Sequence, residues 1–282
     1  MAIDSELLRA TLRNVSARWQ STETAPVPHA LGYIPGGEEI SLAMREIMSQ
    51  ESLRQFLAIE GIAPSPLPTS FDWRNVGGKN YITAVRDQAD CGSCVAFGCL
   101  AAVEAGIRIS RKNPGLDVDL SEADLFYCHV GVSGGNCHNG WRVTLALTCL
   151  LNSGTVDEKC FPYTPGDQAC SKCADWQQRI TKIHNWHALT TPGAMKDWIA
   201  NHGPVVTTFS VYEDFDSYQS GIYHHVQGAF RGGHAVCCVG YNETERFWIC
   251  KNSWRSGWGE KGFFRIAYGQ VGIDATMWAV EV

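Results

Sequence analysis

The stretch Asp87-Gln88-Ala89-Asp90-Cys91-Gly92-Ser93-Cys94-Val95-Ala96-Phe97 constrains this chain more than any other. It sets a cysteine where a glycine-bearing turn becomes an apolar run, Cys94 through Ile109, which predicts a buried helix. A thiol at a helix N-terminus sits at the positive end of the helix dipole, and that position favours thiolate. Gln88 lies six residues upstream and offers a side-chain amide able to reach the same point. The pair reads as a nucleophile with an oxyanion donor. Against it stands the ordinary fate of a cysteine, which is burial or a disulfide.

A chain of 282 residues has room for one large or two moderate domains. Its formal net charge is −6 and it has no basic run, so nothing invites nucleic acid or an anionic membrane. No apolar stretch approaches the ~20 residues that span a bilayer. The opening Met1-Ala2-Ile3-Asp4-Ser5-Glu6 lacks the basic-then-apolar layout of a secretory leader.

The 12 cysteines are many for a reduced cytosolic enzyme. Cys91, Cys128, Cys137, Cys160, Cys170 and Cys173 lie among turn-forming and polar residues. Cys99, Cys149, Cys237, Cys238 and Cys250 sit in apolar runs, as small hydrophobes do. The loop set permits three disulfides, with the pairing left open by spacing alone. A zinc site from Cys160, Cys170 and Cys173 is the competing use. Its spacing is irregular and it contains no histidine, so no metal and no cofactor is expected.

Residues 1–62 differ in character from the rest. Ser5 to Leu12 suits a short helix. Gly36 to Ile59 has helical periodicity, with Gly61 as its stop, and Ala25-Pro26-Val27-Pro28-His29 between them must be extended or irregular. Residues 63–70 carry three prolines and read as a linker to a main body over 71–282. In that body helices come first: Cys94 to Ile109, Ser121 to Cys128, Trp141 to Asn152 and Pro192 to Asn201. Strands follow over Val205–Tyr212, Gly221–Val226, His234–Tyr241, Arg246–Lys251, Gly262–Ala267 and Met277–Val282. Grouped helices and then grouped strands predict an α+β chain of two subdomains with a ligand cleft between them.

A cysteine nucleophile needs a base, and the base needs a group to orient it. The strand-rich half supplies His234 in Gly232-Gly233-His234-Ala235-Val236 and Asn252 in Lys251-Asn252-Ser253-Trp254. Asn252 can accept from the imidazole and fix its tautomer, while the Trp254 indole shields that bond from water.

Together these blocks resemble the papain-like cysteine peptidases. Gln88-x-x-Cys91-Gly92-Ser93-Cys94 is similar to the family's nucleophile block, with the histidine and asparagine blocks following in order. Leu67-Pro68-x-x-Phe71-Asp72-Trp73-Arg74 resembles the opening of the mature enzymes, so the likeness covers about 67–282. Asp72-Trp73-Arg74-Asn75-Val76 and Glu158-Lys159-Cys160-Phe161-Pro162-Tyr163 are most similar to the cathepsin C-like and cathepsin B-like branches. The resemblance implies a helical left half, an antiparallel β-barrel-like right half and an active site in the cleft.

It also implies roles. Cys94 is the nucleophile, His234 the general base and later acid, and Asn252 its orienting partner. Gln88 and the Cys94 backbone N–H form the oxyanion hole, and the resting pair is thiolate and imidazolium. Gly140 in Cys137-His138-Asn139-Gly140-Trp141 pairs with extended substrate, and Trp141, Thr208, Gly232 and Thr276 line the S2 pocket. The implied disulfides are Cys91–Cys137, Cys128–Cys170 and Cys160–Cys173. Val95 departs from the aromatic that follows the nucleophile in relatives, and Gly228 and Val271 stand where many relatives carry a disulfide. No insertion after Cys137 suggests an exopeptidase loop.

The expected function is therefore a monomeric cysteine endopeptidase acting on peptides or proteins. Its own N-terminal segment, 1–62, is expected to cross the cleft as a propeptide-like intramolecular inhibitor. The competing readings are a packing extension on the back of the enzyme and, for the whole chain, a catalytically silent papain-fold binding protein. A third is acyl transfer by the same thiol. Three disulfides favour a secreted or other oxidising compartment, although the chain shows no leader.

Overall fold

The computed structural model describes residues 4–22, 29–34 and 66–282. The helix expected over Gly36–Ile59, the extended run 25–28 and residues 63–65 of the Pro-rich linker lie outside the described residues. Helix α1 (Ser5–Asn14) begins where the Asp4 carboxylate accepts from the backbone N–H of Glu6 and Leu7, an N-cap that serves donors with no intrahelical partner. It buries Leu8 and Leu12 and turns into strand β1 (Trp19–Ser21).

The helical half is built on α2 (Cys94–Ser110), which is apolar all round its first three turns and buried accordingly. Gly98 lets this helix approach a strand backbone, since a Cβ there would sit 3.3 Å from Val236 N. Ser121 caps α3 (Glu122–Tyr127) through Asp124 N, and α4 (Val143–Asn152) packs beside it. Pro192 opens α5 (Pro192–Asn201) after the Thr191 cap. Among the described residues no helix is long and apolar enough to cross a membrane.

The other half is a sheet of nine strands among the described residues. They are β1, β2 (Ser70–Asp72), β3 (Asn185–Leu189), β4 (Val205–Tyr212), β5 (Tyr218–Tyr223), β6 (Phe230–Asn242), β7 (Phe247–Lys251), β8 (Phe263–Ala267) and β9 (Met277–Glu281). The four-residue helix α6 (Glu213–Asp216) joins β4 to β5. The spatial order is β1-β5-β8-β7-β6-β4-β9-β3, with β2 on β6. All pairings are antiparallel except β5–β8, and the sheet does not close into a barrel. The α+β, two-subdomain architecture is as the resemblance implies. Helix α2 packs on β6, so the N-terminus of the helix meets the start of the strand at one place. That place is the cleft.

Behind it lies a buried polar bridge between the halves. Lys251 Nζ donates to Thr83 Oγ1 (3.0 Å), and Thr83 Oγ1 donates to Glu104 Oε2 (2.6 Å). Glu104 Oε1 accepts from Leu120 N (2.8 Å). Burial pushes the Glu104 carboxyl up and the Lys251 amine down. Each is tolerated because the other is near, and the bridge ties the helix carrying Cys94 to the strand that delivers Asn252.

Candidate active site

The chain before Cys94 is held at several points. Gln88 N donates to Ser253 O (2.9 Å) and Gly92 N to Cys137 O (2.7 Å). The Cys91–Cys137 disulfide closes the turn. The Tyr163 hydroxyl bonds both Gln88 O (2.9 Å) and Ser93 Oγ (2.7 Å). Cys94 therefore enters as the first residue of α2 with its sulfur fixed in place, fully buried and reduced. Backbone N–H groups of Ala235, Gly32, Val95 and Cys94 itself lie about the sulfur and pull its pKa down.

His234 sits early in β6 and Asn252 just beyond β7. His234 Nε2 lies 2.8 Å from Asn252 Oδ1, and the same oxygen accepts the Ser253 N–H at 2.8 Å. An oxygen facing two donors fixes the amide orientation and places the histidine proton on Nε2. Nδ1 is left as the basic nitrogen, buried and without a hydrogen-bond partner among the described residues. The buried Trp254 ring stacks on His234 with centroids 4.9 Å apart, and keeps water from the His234–Asn252 bond.

Residues 29–34 run through the cleft. The His29 ring stacks on Trp254 (4.5 Å). Ala30 O accepts from Gln88 Nε2 (3.0 Å), the amide assigned above as an oxyanion donor, while Gln88 Oε1 is held by Ser253 Oγ (2.6 Å). Gly32 O accepts from Trp141 N (2.6 Å), Tyr33 N donates to Gly233 O (3.1 Å) and Ile34 N to Trp141 O (2.8 Å). The segment thus runs parallel to Trp141 and antiparallel to Gly233. Gly32 passes so close that a Cβ would overlap the Gly92 carbonyl, and one on Gly140 would overlap Gly32. The packing-extension alternative does not describe residues 29–34, which lie on the nucleophile.

Burial works against the charge state expected of the pair. It pushes the Cys94 thiol up to about 11, against the pull of the four N–H groups, and pushes His234 down to about 4 despite Asn252. Both shifts favour the neutral forms, thiol and imidazole, over the thiolate and imidazolium while the pair stays buried. The cause is desolvation: a charged pair has no water left to stabilise it.

The expected pocket residues come from both halves. Trp141 is buried, with Nε1 donating to Ser133 Oγ (2.9 Å). Gly140 has φ +79° and Gly232, against Leu31, has φ +152°. Thr208 lies on β4 opposite Ala235, and the β4–β9 register, continued by one residue, sets Thr276 beside it.

Three disulfides are formed: Cys91–Cys137, Cys128–Cys170 and Cys160–Cys173. They consume all three cysteines of the zinc alternative. Asp124, Cys128 and Cys170 cluster, but both cysteines are oxidised and Lys172 Nζ occupies Asp124 at 2.7 Å. This arrangement does not suit a cation.

Sequence reasoning did not single out Ser253, Tyr163 or Arg231, nor His29 to Tyr33 as cleft residues. Gly32, beside two prolines and a histidine, was the available signal for the last.

The family model described as "Papain family cysteine protease" matches residues 67–280. The chain is 34% identical over 250 residues to "Cathepsin B-like cysteine proteinase 2" of Haemonchus contortus, covering 75% of this chain and 72% of that one. It is 36% identical over 245 residues to "Cathepsin B-like CP3" of Giardia intestinalis, covering 81% and 79%. Its fold is similar to that of "proCathepsin B S9 from Trypanosoma congolense", with TM-score 0.74 at 20% identity over 99% of this chain and 98% of the other. With a matched family model over most of its length and relatives above 30% identity, this chain belongs to the papain family of cysteine peptidases.

Proposed function

We propose that this cysteine peptidase is an endopeptidase whose nucleophile is Cys94, whose base is His234 and whose orienting residue is Asn252. The observation that carries the reading is the meeting of these residues with Gln88 beneath residues 29–34. His234 Nδ1 takes the thiol proton, and the sulfur attacks the substrate carbonyl. Gln88 Nε2 and the Cys94 N–H then hold the oxyanion, where one donor is worth roughly 3–4 kcal/mol. The protonated His234 gives its proton to the leaving amine, and water releases the acyl group by the reverse path. Trp141, Thr208, Gly232 and Thr276 receive the side chain of the acyl half, with Gly140 pairing its backbone.

Residues 1–62 act as the propeptide-like segment, 63–70 as the linker in which it is cut, and 71–282 as the peptidase domain. The segment has two footholds. In one, Trp19 is buried against Tyr218 and Tyr223 (6.1 and 5.2 Å) and donates to His224 O (3.0 Å), on a strand paired with β5. In the other, Ala30 O takes the Gln88 donor that a reacting carbonyl needs. The enzyme acts as a monomer on peptides or proteins, without nucleic acid or membrane. The three disulfides support an oxidising, secreted or lysosome-like compartment.

The test is product analysis with peptides blocked at both ends, after the folded full chain is cut within residues 35–65 by an added serine protease. Internal cuts are expected. No cut in the blocked peptides while matched peptides with free termini are trimmed, or transfer of the acyl group to an added amine in place of hydrolysis, would contradict the endopeptidase reading.

The charge states give the closed form a pH window. Burial lowers His234 from its ordinary 6.5 to about 4, so the share of that burial that the segment adds favours closure above 6.5 and is lost as pH falls towards 4. The His234 shift corresponds to about 3 kcal/mol. His29, also lowered by burial, works in the same direction. The Cys94 thiol, raised from 9.0 to about 11, favours closure below 9 and opposes it as pH rises through 11. Epoxide labelling of Cys94 in the uncut chain, measured against the cut chain at each pH, should therefore be slowest between about 6.5 and 9. It should rise as pH drops from 6.5 to 4. A flat ratio over that range would show that His234 does not sense the segment.

A further inference from the structure

The N-terminal segment marks where each half of a substrate lies, and one residue it touches belongs to neither the catalytic set nor the acyl pocket. His234 protonates the leaving amine, so the departing half lies on the His234–Trp254 side of the sulfur. His29 stacks on that tryptophan, one residue from the carbonyl held by Gln88. The His29 carbonyl in turn accepts from Arg231 Nη2 (3.1 Å).

Arg231 is braced from behind. Its Nη1 pairs with Asp216, whose side chain is 4% exposed against 22% for the arginine. Trp258 Nε1 donates to Asp216 O (3.2 Å), fixing the end of α6. One arm of the guanidinium is therefore committed to the protein, and the other is turned into the cleft towards an oxygen. The remaining charges around His29 are Asp87, Asp90 and Arg255. Arg255 is paired with Asp87 (2.9 Å), and Asp90 is exposed. Arg231 is the cation here whose cleft-facing nitrogen meets no acid. A planar, fixed guanidinium arm with free N–H donors suits a carboxylate better than the peptide carbonyl it now holds.

We propose that Arg231 is a specificity-determining residue that receives a carboxylate on the leaving half of the substrate. The carboxylate comes either from an acidic side chain just after the cut or from the C-terminus of a short leaving peptide. This inference rests on the site reading above.

The folded full chain, opened by a cut within 35–65, is assayed with two sets of peptides. One set is amidated and carries Glu or Gln at the first or second position after the cut. The other ends one or two residues after the cut as acid or amide. At least one matched pair should favour the carboxylate about tenfold in kcat/KM at low salt, less at high salt. The first set identifies a side chain as the source, the second a chain terminus.

In Arg231→Gln/Asp216→Asn, which removes the pair without leaving a buried unpaired charge, the ratio should fall to about one. Arg231→Lys should keep part of it. Ratios within one enzyme do not depend on how much of it folds, so a merely structural role would not move them. Ratios near one in the parent enzyme, or a preference retained in the double variant, would overturn this inference alone. No cleavage of any peptide would overturn the site reading and this inference together.

Discussion

Cys94→Ala leaves the opened enzyme with background peptidase activity, a loss of roughly 10⁴-fold or more in kcat. In the proposed mechanism the sulfur forms the bond to the substrate, and no other free thiol takes its place: Cys149 is half-buried on α4, in the helical half, and burial raises it too. Cys99, Cys237, Cys238 and Cys250 are buried in the core, and burial pushes Cys99, Cys237 and Cys250 far up from the ordinary range. His234→Ala should cost a similar factor, because its Nδ1 is the basic nitrogen on the cleft side of the tautomer that Asn252 fixes. The double variant should be hardly worse than either single one, as expected of residues acting as a unit. Steady-state hydrolysis of a fluorogenic dipeptide, normalised to folded protein, checks all three. Activity in Cys94→Ala within tenfold of the parent would remove Cys94 as nucleophile.

Gly32→Val raises the activity of the uncut chain roughly five- to 150-fold, the range set by an overpacking cost of about 1–3 kcal/mol. Gly32 sits between two backbones, those of Gly92 and Gly140, and neither can yield as a flexible side chain could. A side chain there forces residues 29–34 outward. Gln88 Nε2 then loses Ala30 O, and Cys94 and His234 regain water. The other foothold, Leu8, Leu12 and Trp19, is untouched, so the segment stays tethered while the cleft opens. Hydrolysis and epoxide labelling should rise together. Unchanged activity in Gly32→Val would mean that the cleft path of the segment is not what restrains the enzyme.

Much of the chemistry was legible in the sequence because it depends on local rules. A cysteine after a glycine turn and before an apolar run sits at a helix start, and Pro192 and Thr191 fix another helix start as written. The strands from β4 onward follow alternation or apolar runs, although β5 starts at Tyr218, ahead of the expected Gly221. Strands β1, β2 and β3 were not foreseen. They are short edge pieces whose pairing is decided by partners far along the chain, such as Trp19 with Gly221 and Ser70 with Asn242.

The charge state of the covered pair rests on both local and distant structure. The helix dipole is a local property and favours thiolate at Cys94. The burial that opposes it is long-range: Cys94 is fully enclosed, and residues 29–34, some sixty residues upstream, are among what encloses it. Arg231 adjoins the Gly232-Gly233-His234 block, but local sequence does not say which way its side chain turns. Its meaning comes from Asp216 behind it and His29 in front.

The central claim is that Cys94, His234 and Asn252 form a competent site that residues 29–34 hold shut. It is tested most directly by titrating active sites with an epoxide inhibitor at pH 7.5 in one preparation of the folded full chain, before and after a cut within 35–65. The account predicts little labelling before the cut, then one equivalent on Cys94 with peptidase activity rising in proportion. Equal labelling and activity before and after the cut would contradict the restraint. No labelling in either state would contradict the site itself.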